Sequence, residues 1–126
     1  MKVCCRDWAL HHMSKCFNSW QKEKIYLRAA GNTIPTGIAQ GIRYWEKSDP
    51  ARLKKGPDGE LPVVLCSMGD ASVTEGEVSE AMQFAVLKQL PVIYLVQDNN
   101  WGISVSAGEA RAMNAFEYVA GFKGMN

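Results

Sequence analysis

The sequence predicts an α/β fold, part of a doubly wound parallel sheet. Two short apolar runs, residues 63–66 and 92–96, lack the alternation of a half-solvated strand and read as strands buried on both faces. Between them apolar residues recur at helical spacing, and strand, helix and strand together occupy about 35 residues, the span that a crossover between parallel neighbours needs. A length of 126 residues with 47% apolar side chains suits one ordinary domain and leaves no room for a two-domain enzyme. With 14 basic and 13 acidic side chains, charge gives no general attraction to nucleic acid or anionic lipid. The longest apolar runs, 61–66 and 90–96, fall far short of the roughly 20 residues that span a bilayer, so no membrane span is expected.

Each element follows from the chain in order. Residues 1–30 show neither a 3.6 nor a 2 period and hold six basic and two acidic side chains, against eight and eleven in the remainder. They are left unassigned, and residues 31–126 are read as one partial α/β domain. Ile34, Ile38, Ala39, Ile42 and Trp45 recur at helical spacing, with Pro35 where a first turn tolerates a missing donor, which predicts a helix of about three turns. Residues 46–62 form an exposed connection, punctuated by Asp49-Pro50 and Gly56-Pro57-Asp58-Gly59.

The first strand is bounded by Pro62 and by Gly69-Asp70. Thr74 and Glu77 match a capping box ahead of Val78, Ala81, Met82, Ala85 and Val86, an apolar stripe of the next helix. Leu90-Pro91 ends that helix and the second strand follows. Ser106 and Glu109 match a second capping box, and Ala110, Met113, Phe116, Val119 and Ala120 predict one further helix. Two strands make a poor sheet, so the chain is expected to be a fragment of a larger domain or to depend on a partner.

Cysteine usage points away from a disulfide framework. Cys4, Cys5 and Cys16 crowd the front, Cys66 lies in an apolar run as a small buried hydrophobe, and no secretory signal is legible, which suits a reducing compartment. Cys4 or Cys5 with His11, His12 and Cys16 matches no zinc-ligand spacing.

In open α/β sheets ligands bind beyond the carboxyl ends of the strands, where this chain carries Gly69-Asp70-Ala71-Ser72 and Asp98-Asn99-Asn100-Trp101-Gly102. Either loop alone is ordinary turn chemistry. Together, on adjacent strands, they offer a carboxylate and an amide oxygen, hard ligands suited to magnesium when a phosphate supplies further oxygens. The following helix would aim its amide donors at a diphosphate in the same place. Glu75, Glu77 and Glu80 read as cap and solvated face, with Glu75 close enough to support the site.

Gly69-Asp70-Ala71, Glu75-Gly76, Glu80-Ala81, Leu90-Pro91-Val92-Ile93 and Asn99-Asn100-Trp101-Gly102-Ile103-Ser104 resemble the thiamine diphosphate motif of the 2-oxo acid dehydrogenase E1 component, its alpha subunit or alpha half. The resemblance is densest over residues 63–106 and extends more weakly back to Ile34-Pro35-Thr36-Gly37-Ile38-Ala39 and forward to Gly124. It implies a thiamine diphosphate-binding fold and a cofactor pair of thiamine diphosphate and Mg2+. Asp70, Asn99 and the main-chain carbonyl of Trp101 would ligate the metal. Gly69, Asp70, Ala71, Ser72, Asn99, Trp101 and Ile103 would surround the cofactor, with Ile103 propping its bent form. Asn100 lies one position past the metal-binding asparagine and is not nominated. Ala71 replaces the more usual third glycine of Gly-Asp-Gly; if that backbone needs positive φ, the methyl costs about 1 kcal/mol.

The implied function is oxidative decarboxylation of a 2-oxo acid, read from the 99–104 segment as branched-chain, with acyl transfer to a lipoyl carrier. The implied partners are an E1 beta subunit or beta half, a lipoyl-bearing E2 acyltransferase and the small-molecule 2-oxo acid, with no nucleic acid and no membrane. The implied location is cytoplasmic, or the mitochondrial matrix in a eukaryote. The catalytic glutamate and histidines of the family lie outside this chain, so alone it is expected to be inactive. Alternatives are a noncatalytic remnant serving folding or subunit association, a pyruvate or acetoin E1, and another thiamine diphosphate enzyme such as a transketolase or decarboxylase.

Overall fold

The computed structural model describes residues 2–4, 25–27, 33–57 and 59–125. Four parallel strands form its main sheet: β1 (Lys2–Cys4), β2 (Ile25–Leu27), β3 (Val64–Gly69) and β4 (Val92–Gln97), in the order β1-β4-β3-β2. The two strands read from the sequence are the inner pair. The outer pair falls within residues 1–30, with Lys2 opposite Ile93 and Ile25 opposite Val64. Cys5, His11, His12 and Cys16, weighed above as zinc ligands, lie outside the described residues.

The sheet is parallel as expected, but its inner strands are not fully buried on both faces. Burial alternates: Val64, Cys66, Met68, Val92, Tyr94 and Val96 are buried, whereas Leu65, Ser67, Ile93 and Leu95 are half-buried. The described helices pack their apolar residues into one core with the first set, and that is the face sealed from water.

Helix α1 (Thr33–Ser48) runs for 16 residues, more than four turns, so it outlasts the expected three. Its buried stripe also differs from the expected one. Pro35, Thr36, Ala39 and Ile42 face the core, while Ile34 and Trp45 are exposed. A buried hydroxyl pair accounts for the roll, since Thr36 Oγ1 lies 2.7 Å from Tyr94 Oη on the central strand. Turning the small residues inward lets the helix approach that strand and leaves the larger apolar side chains at the rim.

Helix α2 (Gly76–Leu87) buries Val78, Ala81, Met82 and Ala85 of the predicted stripe and leaves its fifth member, Val86, half-buried. Its start corrects the sequence reading, because Glu75, not Thr74, is the N-cap and no side chain caps it. A short 3-10 turn, Asp70–Ser72, takes up the chain after β3, and a further turn bond from Glu75 N–H to Ser72 O delays the helix beyond Thr74.

After β4 a hairpin unforeseen in the sequence, β5 (Trp101–Gly102) and β6 (Val105–Ser106), leads into two short helices, α3 (Ala107–Ala110) and α4 (Ala115–Val119). The single helix expected here is broken at Arg111, whose backbone is extended at φ −151 and ψ 145. The Ser106–Glu109 cap is present, with Ser106 N–H donating to Glu109 Oε2 at 3.0 Å. Asn114 caps α4 by the same reciprocal pattern with Glu117, each bond 2.9 Å long. Of the expected stripe Val119 is buried, whereas Ala110, Met113, Phe116 and Ala120 are exposed, and Ala115 enters the core beside Val119. Among the described residues no helix is long and apolar enough to cross a membrane.

Candidate functional site

The site begins with strand register. Gly69 pairs with Gln97 at the ends of β3 and β4, so the next residues, Asp70 and Asp98, leave the sheet side by side. Asp70 is 2% exposed. Its Oδ2 accepts the Asn100 N–H at 3.1 Å, and Asp98 Oδ1 accepts the same N–H at 3.2 Å. The 98–100 loop is thereby drawn over Asp70.

Arg111 closes the cluster. Its side chain is 5% exposed, and its Nη2 donates both to Asp70 and, at 3.4 Å, to Asp98 Oδ1. Burial alone would raise the Asp70 pKa, but a hydrogen bond from Arg111, hydrogen bonding with Asp98 and the Arg111 positive charge outweigh this and hold the carboxyl below its ordinary value. The carboxylate is therefore ionised at neutral pH while nearly sealed from water. Arg111 was missed in the sequence, although a signal existed. Neither Asp70 nor Asp98 has a basic residue within four positions, and Arg111 has no acid three or four positions away. Unpaired charges of opposite sign in otherwise small and apolar stretches invite a long-range pair.

The predicted residues separate into those drawn together and those turned outward. Asp70 meets the second loop through Asn100 N–H, the neighbour of Asn99. The Asn99 oxygen itself accepts the Trp101 N–H at 2.9 Å, closing a local turn. An amide oxygen has two lone pairs, so this bond leaves one for another ligand. Trp101 is exposed on β5, and Ile103 at the hairpin tip is fully exposed with φ 60. Ala71 sits in the 3-10 turn and is not among the positive-φ residues, so its methyl carries no backbone penalty there. Its methyl instead packs against Gly102, where an added Cβ would come within 2.9 Å of the Ala71 Cβ.

Among the described residues no three histidine, cysteine, aspartate or glutamate side chains cluster as a ready metal cage. The oxygen donors at hand are two carboxylates, one amide oxygen and loop carbonyls, a set that fits a hard divalent cation able to draw further oxygens from a phosphate. The buried Arg111 Nη1, which has no hydrogen-bond acceptor, fits the same group from the anion side.

Comparison with known proteins gives the family. The sequence pattern of the dehydrogenase E1 component matches residues 11–125. The chain belongs to the dehydrogenase E1 component family. It is similar to a pyruvate dehydrogenase E1 component subunit alpha of Porphyra purpurea, with 40% identity over 78 residues, covering 62% of this chain and 21% of the relative. A mitochondrial type II pyruvate dehydrogenase E1 alpha of Ascaris suum is 28% identical over 97 residues, covering 74% and 22%. The alpha subunit of 3-methyl-2-oxobutanoate dehydrogenase of Mycobacterium tuberculosis is 33% identical over 61 residues, covering 48% and 17%. The chain thus spans about a fifth of the length of the curated relatives it matches. E1 alpha proteins are oxidoreductase components, and the E1 family is thiamine diphosphate-dependent.

Proposed function

We propose that this chain carries the cofactor-binding segment of an E1 alpha component, within a thiamine diphosphate-binding fold, and that its two strand-end loops hold thiamine diphosphate with Mg2+. The observation that supports this best is the ionised, buried Asp70 lying directly beneath the 98–101 loop at the ends of adjacent parallel strands. Asp70 and the Asn99 oxygen would ligate the cation with the Trp101 carbonyl. The Gly69-Asp70-Ala71-Ser72 backbone would line the diphosphate, and Ile103 would press on the cofactor from the hairpin tip. The bound cofactor supplies an electron sink for cleavage of a bond next to a carbonyl. The residues of this chain bind, orient and hold charge, and the proton-transfer groups come from elsewhere in the assembled enzyme.

The whole enzyme, on this reading, decarboxylates a 2-oxo acid oxidatively and passes the acyl group to a lipoyl carrier on an E2 acyltransferase, with an E1 beta subunit or beta half completing the site. A branched-chain substrate rests on the 99–104 segment. Pyruvate is the second reading, favoured by the greater identity and coverage of the Porphyra relative. Turnover of 3-methyl-2-oxobutanoate against pyruvate by the assembled enzyme separates the two.

Calorimetric titration with thiamine diphosphate and Mg2+, with and without the beta partner, tests the site itself. Cofactor at about 100 times its dissociation constant should stabilise the assembled protein by about 2.7 kcal/mol. Asp70→Asn should remove most of the magnesium-dependent part, and equal stabilisation of variant and parent would refute the ligand assignment.

A further inference from the structure

Arg111 is more than an internal counter-ion. A guanidinium presents its donors as a rigid planar fork that matches a carboxylate or a phosphate with two parallel bonds. Here the fork is used by one prong. Nη2 alone serves both Asp70 and Asp98, while Nη1 is buried and has no acceptor. A purely structural ion pair buried to this depth would be expected to satisfy both prongs, because an unpaired buried donor is costly. The guanidinium also donates to Asp70 Oδ2, one of the two oxygens through which Asp70 can ligate a cation. Arg111 reaches that oxygen from an extended break between two short helices, 41 residues further along the chain.

We propose that Arg111 is a placeholder cation, neutralising Asp70 and Asp98 until a divalent cation replaces it, and that its unpaired Nη1 is the anchor for a phosphate oxygen of the arriving diphosphate. This deepens the reading above, on which it rests. Cation and guanidinium compete for the same carboxylate, and the diphosphate gives the displaced fork a new anionic partner. Loading is thereby ordered: metal alone binds poorly, and metal with diphosphate binds well.

The test uses the chain with Mn2+ and inorganic diphosphate as probes, followed by electron paramagnetic resonance and calorimetry. Without diphosphate, Arg111→Gln should bind Mn2+ at least about tenfold more tightly than the parent, and with Mn2+ present it should bind diphosphate at least about tenfold more weakly. Unchanged Mn2+ affinity in Arg111→Gln, where the parent binds saturably, overturns the placeholder and leaves the metal site standing. Absence of saturable Mn2+ binding in both chains even with diphosphate overturns the metal site and the placeholder together. Should Arg111→Gln not fold, Arg111→Lys keeps the charge but loses the fork. It should weaken diphosphate binding at least about threefold at an unchanged melting temperature, and parental diphosphate affinity in that variant overturns the proposal.

Discussion

At the scale of single residues, the site depends on two side chains that are nearly absent. Beside the Asp70–Asn100 bond, the Ala71 methyl lies against the bare Cα of Gly102, where a Cβ would come within 2.9 Å of it. Gly102→Ala should therefore force the loops apart, lowering stability by about 1–3 kcal/mol and weakening cofactor binding. Ala71→Gly in the same chain should recover both, as neighbours in contact do not behave additively. Denaturant midpoints and cofactor titrations of the two single variants and the double variant check this. Ile103 is unusual in another way. A β-branched residue at φ 60 is an outlier of the kind that costs about 1–3 kcal/mol and that clusters at ligand clamps. The motif singles out Asp70, Asn99 and Ile103 in the sequence, but it does not reveal this backbone conformation.

Individual elements show why some features read easily and others did not. The end of α2 is a Schellman motif: Leu90 N–H donates to Ala85 O at 2.9 Å and Gln89 N–H to Val86 O at 3.1 Å, with Leu90 buried. Gln89 takes φ 51, a conformation that favours glycine. Gln89→Gly should raise stability by about 1 kcal/mol, read as a higher melting temperature with no change in cofactor affinity. The β3, α2 and β4 unit was legible because its apolar runs and helical stripe are local signals. The break between α3 and α4 was not, because a pairing with Asp70, 41 residues earlier, sets it. The β5–β6 hairpin escaped as well, since its loop, Ile103-Ser104, lacks the Asn-Gly, Asp-Gly or leading glycine of the favoured two-residue turns. The roll of α1 follows from a hydroxyl pair 58 residues apart, beyond any periodicity.

For the whole molecule, the sealed core makes a prediction about pH. Burial pushes the Cys66 thiol from its ordinary 9.0 to about 11, and it is also the main cause raising Tyr94 from 10.0 to about 12. Both groups are neutral when folded and ionise more easily when unfolded. Their contribution is complete below pH 9.0 and is lost as pH rises through about 11 and about 12. Urea midpoints should fall over that window, and Cys66→Ala should flatten its lower part. Among the described residues one sheet face is sealed, which also explains what the sequence overestimated. Uninterrupted apolar runs in β3 and β4 suggest cover on both sides, and the half-buried Leu65, Ile93 and Leu95 show where that cover is incomplete.

The buried bond between Thr36 and Tyr94 has a mechanical consequence. Sliding α1 along the sheet would break a bond sealed from water, at about 0.5–1.5 kcal/mol, so helix and central strand behave as one stiff platform. Any accommodation to an incoming molecule is then confined to the fringe beyond Gly69 and Gln97, while the anchorage below stays put.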